Sequence, residues 1–265
     1  MADDHQKESK PVVVVTGGGR GIGEGVARLM AERGYAVAII DKDAHVGINV
    51  ANKISDASGS ARFYQADVAI ETQVNDAFNR ISADFGNIHA LSCNAGIQRY
   101  GTIITTSEEM WDEVMNVNLK SMFLCSKAAV PHLIKTKGSI VIMSSVQGYA
   151  TQKNVLAYTT SKHALVGFVR SMALDLAEYG VRVNGVAPGS IRTPMLENTV
   201  NMDPNPAKLW KVLDGMHPLG RIGTPREIAE VVAFLASPAA SFVTGSMLIA
   251  DGGLLLPISG TPQEV

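Results

Sequence analysis

Short apolar runs rich in β-branched residues alternate along this chain with longer stretches whose apolar positions recur every three or four residues. Seven such runs predict strands: VVVVT (12–16), AVAII (36–40), ARFYQ (61–65), HALSC (89–93), SIVIM (139–143), VRVNGVA (181–187) and SMLIA (246–250). Several are apolar throughout rather than alternating, the pattern of strands that helices cover on both faces of a parallel sheet. Between them lie the helical stretches. GIGEGVARLMAERG places Ile22, Val26, Leu29, Met30 and Arg33 at helical spacing and stops at Gly34. Strand–helix alternation of this kind predicts an α/β class with right-handed crossovers and a doubly wound sheet of seven parallel strands flanked by helices.

No internal repeat, low-complexity tract or linker marks a second domain. Residues 11–265 therefore read as one domain behind a flexible N-terminus at 1–10. Residues 195–223 break the rhythm, with prolines interrupting a short helical piece. A long irregular segment in a compact domain is commonly functional, so this one is expected to be a flap over a substrate site.

Composition narrows the classes. A chain of 265 residues, 46% hydrophobic and 18% charged, can bury a large core. A formal charge of -2 gives no reason to expect nucleic acid or an anionic membrane as partner, which leaves a small molecule. The opening MADDHQKESK is acidic and polar and lacks the basic start and apolar core of a secretory signal, so a cytoplasmic location is expected. Cys93 and Cys125 suit reduced, buried thiols. His163 and His217 have no second ligand at a metal-like spacing and read as structural, and no metal site is expected.

TGGGRGIG (16–23) follows the first strand and opens the first helix. Gly17, Gly21 and Gly23 let the backbone turn tightly and approach a pyrophosphate, which meets free N–H groups and the positive end of the helix. The spacing is neither that of a P-loop nor G-x-G-x-x-G, and Glu24 stands where a P-loop lysine belongs. At the end of the second strand, about 20 residues on, Asp41 lies where an acidic side chain would bind ribose hydroxyls, although an ordinary strand-end turn residue is the plainer reading. Asp41 would repel a 2′-phosphate and so favours NAD over NADP; Arg20 argues weakly the other way.

Together with Asp67 and Val68, CNAG (93–96), Asn118 in NVNLK, the serine pair 144–145, YTTSK (158–162) and PGSIRT (188–193), this turn resembles the short-chain dehydrogenase/reductase family in its single-domain form. The likeness runs from Val12 to about Gly253, with the motifs in family order. Cys93 departs from it, standing where a second asparagine is common. The resemblance implies a Rossmann fold and a catalytic set of Asn118, Ser145, Tyr158 and Lys162. Tyr158 would be the base in alcohol oxidation or the acid in carbonyl reduction. A free phenol has a pKa of about 10 and makes a poor base near neutrality. Lys162, at i+4 on the same helical face, is expected to favour the phenolate. Ser145, thirteen residues before Tyr158, matches the family's serine, whereas Ser144 is one residue too far. Asn118, rather than Asn116, precedes Leu-Lys as in the family pattern and would support a water-linked proton path to the lysine. Cofactor contacts carry over onto Gly17, Arg20, Gly21, Ile22, Gly23, Asp41, Asp67, Val68, Asn94, Ala95, Gly96, Tyr158, Lys162, Pro188, Gly189, Ile191 and Thr193.

Gln98, Gln147 and Gln152, with Lys153 and Asn154 nearby, form a run of polar groups near the predicted pocket that would suit the hydroxyls of a sugar or polyol. SSVQGYATQKNV also resembles sugar dehydrogenases within the family. Arg99 instead suits a carboxylate or phosphate, which keeps a 3-oxoacyl-carrier reductase using NAD(P)H as the alternative. A non-catalytic NAD-binding regulator is a further class, disfavoured because serine, tyrosine and lysine are all present. The resemblance implies a homotetramer.

Overall fold

The computed structural model describes residues 10–256. Apart from Lys10, the N-terminus expected to be flexible lies outside these residues, as does the chain beyond 256.

All seven predicted strands form, each within one residue of its expected ends: β1 (Val12–Thr16), β2 (Ala36–Asp41), β3 (Ser60–Gln65), β4 (Ala90–Cys93), β5 (Ser139–Met143), β6 (Arg182–Pro188) and β7 (Met247–Ala250). They pair in parallel in the order β3-β2-β1-β4-β5-β6-β7. The helices among the described residues are α1 (Gly21–Glu32), α2 (Ala44–Asp56), α3 (Glu71–Phe85), α4 (Glu108–Met115), α5 (Ser121–Thr136), α6 (Leu156–Leu176), α7 (Pro194–Asn201), α8 (Pro206–Gly215) and α9 (Pro225–Ala236). None of them is long and apolar enough to cross a membrane.

Period-two alternation divides the core in two. Val13 and Val15 of β1 point to one face, where they join Val26 and Met30 of α1, Val50 of α2 and Val232 of α9. Val14 points to the other, among Phe78 of α3, Leu133 of α5 and Leu165 of α6. Both faces are buried, which explains why the central strands are apolar at nearly every position.

The chain runs outward from β1 through β2 to β3, then returns to lay β4 on the other side of β1. Thr16 and Cys93, paired at the carboxyl ends of β1 and β4, therefore feed loops that diverge and leave a crevice between them. The glycine turn and the CNAG turn both emerge there.

One expectation changes in detail. Residues 195–223 hold two helices rather than one interrupted piece, because Pro194 and Pro206 sit in the first turns of α7 and α8, where a missing N–H costs nothing. Thr193 and Asn205 cap those helices, accepting from the N–H groups of Leu196 and Lys208. α4, with Ser107 as its cap, passes into a π-helical turn over Asn116–Lys120 before α5.

Candidate active site

The glycine turn is built so that side chains cannot fill it. Gly17 and Gly21 adopt φ of 61° and 56°, and a Cβ on Gly23 would lie 2.1 Å from the Gly17 carbonyl oxygen. The first N–H groups of α1 have no intrahelical acceptor, and Arg20 at the cap position places no side-chain acceptor over them. Positive φ, a bare backbone cradle and an uncapped helix start together fit a pyrophosphate. Gly21 lies against Thr193, and Gly17 against the Ala95 backbone, so the loops after β1, β4 and β6 close round one cleft.

At the end of β2, the Asp41 carboxylate accepts from the N–H of Gly19 and from that of Asp43, both at 3.1 Å. Arg20 donates to the Asp43 carboxylate at 2.6 Å, and the same Asp43 side chain caps α2 by accepting from His45 and Val46 N–H groups. The pair is exposed and adds little to stability, yet it commits the cation in this loop. Asp67 accepts from Ala69 N–H, its own N–H donates to Gln73, and Val68 is buried in the core. An open cavity of about 530 Å³ lies beside Asp67, lined also by Lys42, Gln65, Thr72, Gln73 and Asp76.

Thr16 anchors the turn after β4: its hydroxyl accepts from the N–H groups of Asn94 and Ala95. The Asn94 amide in turn donates to Ser92. Asn118, fully buried within the π-helical turn, is no surface amide. Its Oδ1 accepts from Ile97 N–H at 2.8 Å, and its Nδ2 donates to the Ile97 carbonyl and to Ser161 Oγ. Gly96 lies between Asn118 and Lys162, where an added Cβ would be 3.5 Å from Asn118 Oδ1 and 3.8 Å from Lys162 Nζ.

Ser144 and Ser145 point to opposite tasks. Ser144 is buried and donates to the Lys162 carbonyl, whereas Ser145, at the end of β5, accepts from Gln147 N–H and faces Tyr158. Lys162 is 4% exposed and donates from Nζ to the Met143 carbonyl at 2.9 Å, with Nζ 5.5 Å from the centre of the Tyr158 ring. Burial pushes its pKa down to about 8. Burial also holds the Tyr158 phenol above its usual range, while a hydrogen bond with Ser145 works the other way and Tyr100 adds to the rise. Both charged forms are thus set against by burial, and the Lys162 ammonium donates to the Met143 carbonyl.

Pro188 ends β6, Gly189 donates to the Ala250 carbonyl, and Ile191 bridges to Gly223. On the opposite rim, Gly101 and Val155 form a bridge that ties the segment bearing Gln98 to the start of α6. Gln98 is half-buried there. Gln147 Oε1 accepts from Thr159, beside Tyr158, so one end of that amide is occupied. Gln152, Lys153 and Asn154 are exposed. Arg99 is held bidentately by Glu113, at 2.6 and 2.8 Å, and is not a free cation. Tyr100 reaches Thr199 of α7 at 2.8 Å. Cys93 and Cys125 are buried and their thiols pushed up, Cys125 to about 12, which removes thiolate chemistry. Among the described residues no three His, Cys, Asp or Glu side chains gather as a metal would need.

Sequence reasoning missed Thr16, Asp43 and the Met143 carbonyl. Asp43 carried a signal, since Asp just before an apolar-periodic stretch is a helix start. A backbone carbonyl carries none.

The chain is similar to known proteins along nearly its whole length. A family model described as "Enoyl-(Acyl carrier protein) reductase" matches residues 17–255. The chain is 38% identical to a 2,5-dichloro-2,5-cyclohexadiene-1,4-diol dehydrogenase of Sphingobium indicum, covering 92% of this chain and 97% of that one. It is 36% identical to a 3-oxoacyl-(acyl-carrier-protein) reductase of Thermotoga maritima, over 92% and 98% of the two chains. The solved structure of Thermoplasma acidophilum aldohexose dehydrogenase superposes with a TM-score of 0.87 at 36% identity, over 96% and 98% of the two chains.

The buried lysine makes stability pH-dependent in a defined direction. With a folded pKa of about 8 against an ordinary value near 10.5, the unfolded chain holds the Lys162 proton after the folded chain has released it. Stability therefore rises with pH across that window. In urea unfolding of wild type and Lys162→Met, the difference should move toward wild type by roughly 2 to 3 kcal/mol over the window. A difference that stays constant with pH would mean that the ammonium is solvated.

Proposed function

Because the chain belongs to the short-chain dehydrogenase/reductase family and acts on CH–OH groups, we propose that it transfers a hydride between NAD and an uncharged secondary alcohol or carbonyl, most often a sugar or polyol. The observation that carries this reading is the half-buried Tyr158 beside the buried Lys162, facing Ser145 at the mouth of the crevice. Nicotinamide, when bound, supplies the hydride acceptor. Tyr158 takes the proton of the alcohol oxygen, which Ser145 Oγ holds by a hydrogen bond. Lys162 supplies positive charge beneath the phenol and donors toward the cofactor ribose. Asn118 keeps the turn at 93–97 against α6, so that Gly96 leaves room beside Lys162.

Gly17, Gly21, Ile22 and Gly23 hold the pyrophosphate at the start of α1. Asp67 and Val68 flank the adenine, Asn94, Ala95 and Gly96 line the cleft, and Pro188, Gly189, Ile191 and Thr193 form the nicotinamide side. The preference for NAD rests on charge. A 2′-phosphate beside Asp41 would meet a second carboxylate at Asp43, and Arg20, the cation that would have answered it, is already paired.

For the substrate, the diol dehydrogenase and aldohexose dehydrogenase relatives support a cyclic, hydroxyl-bearing molecule. We assign Gln98 and Gln147 to its hydroxyls and Gln152 to the rim, under residues 195–223 as the flap. The acyl-carrier reductase relative keeps the alternative in view. Against it stands the Glu113 clamp on Arg99, which removes the cation that a carboxylate or phosphate would need. Residues 11–265 are taken as one catalytic domain, assembled as a homotetramer. Phe123 of α5, Leu174 of α6, Phe242 before β7, and Ile249 of the edge strand β7 are exposed apolar side chains that subunit contacts would cover.

Tyr158→Phe should leave NAD affinity unchanged and cut turnover by about 100- to 10,000-fold, the range of acid–base catalysis. A variant that keeps more than a few per cent of wild-type rate would remove Tyr158 as the base. Polyols and aldoses, assayed with NAD and NADP in parallel by the absorbance of the reduced cofactor, should give turnover with NAD. Reduction of 3-oxoacyl thioesters with NADPH alone would favour the alternative. Light scattering at micromolar protein should report four chains per particle, and a monomer would reject the assembly.

A further inference from the structure

Among the described residues, the most deeply buried imidazole belongs to His217, which is 2% exposed, just past the end of α8. Its Nδ1 lies 2.7 Å from the Leu213 carbonyl, so Nδ1 carries the proton and donates. That leaves Nε2 as an acceptor, and it takes the Ser190 N–H at 3.2 Å. Ser190 stands between Gly189 and Ile191, in the loop assigned above to the nicotinamide side. The contact is close on every side. A Cβ on Gly189 would lie 3.0 Å from His217 Nε2, and one on Gly252 would lie 3.5 Å from His217 Cδ2. A second tie joins the same two segments, since the Arg192 guanidinium lies 4.5 Å from the Trp210 ring centre of α8.

We propose that His217 is a positioning residue that fixes the loop at 188–193 from beneath, so that the nicotinamide end of the cofactor site is pre-formed while the rest of the flap stays free to close. The inference rests on the cofactor assignment made above. It divides the flap by its anchors: α8 is fastened to the loop at Ser190 and Arg192, whereas α7 reaches across the pocket through the Tyr100–Thr199 contact, which is exposed. Without the Nε2 acceptor, a partly buried N–H in the loop loses its partner, and the loop must shift to find another. Such a shift acts on the nicotinamide half of the site and leaves the glycine turn untouched.

The test compares binding of NAD with binding of ADP-ribose, which lacks the nicotinamide, by calorimetry on the full chain. His217→Leu removes the acceptor and His217→Asn carries one too short to reach the position of Nε2, so that a variant that fails to fold leaves the other. His217→Gln restores an acceptor at similar reach. The expected result is NAD binding weakened about 10-fold in Leu and Asn, ADP-ribose binding unchanged, and recovery in Gln. Equal weakening of both ligands, no weakening of either, or a Gln variant as weak as Leu would overturn the role of His217. Wild type binding neither ligand would overturn the cofactor reading itself, and this proposal with it.

Discussion

Lys162 donates to the carbonyl oxygen of Met143 from inside the protein, and the site is arranged round that buried ammonium. A charged amine out of water is costly unless it is hydrogen-bonded, and one carbonyl leaves donors to spare. The fold keeps the amine there by holding its backbone as well: Ser144, next to Met143, donates to the Lys162 carbonyl. β5 and α6 are thus joined twice at the level of the reaction. Ser145 and Tyr158 follow, each adjacent to one of these ties. The depressed pKa of Lys162 measures what this costs, and the raised phenol of Tyr158 shows the same desolvation acting on the opposite charge.

The strands were legible in the sequence because burial on both faces demands largely apolar runs, and VVVVT and SIVIM, buried at every position, carry four apolar residues in five. The proline-rich segment was harder. A proline reads as a breaker unless its place relative to the cap is known, and only the geometry of Thr193 and Asn205 reveals Pro194 and Pro206 as helix starts. The π-helical turn at Asn116–Lys120 left no sequence signal, although it seats Asn118 where both ends of its amide are used.

Among the side chains placed near the site by sequence, the structure separates groups with a free valence from groups already committed. Arg20 and Arg99 are both paired, with Asp43 and Glu113. Their commitments bear on the choice of cofactor and the choice of substrate respectively, and neither partner stands close to its arginine in sequence. Pairings across 14 and 23 residues are tertiary facts that no local pattern contains. Tyr158 and Lys162, by contrast, are four apart on one helix, and their proximity follows from helical geometry alone.

In the proposed reaction Tyr158 becomes a base only once the whole site is assembled, because burial sets the phenol against ionisation in the protein by itself. NMR of ring-labelled tyrosine, with the Tyr158 signal assigned by its loss in Tyr158→Phe, reads this directly. Tyr158 should titrate above an ordinary phenol in the protein alone and move to lower pH when oxidised NAD is added. A phenol that titrates below the ordinary range without cofactor, or one that NAD leaves unmoved, would contradict this role of Tyr158.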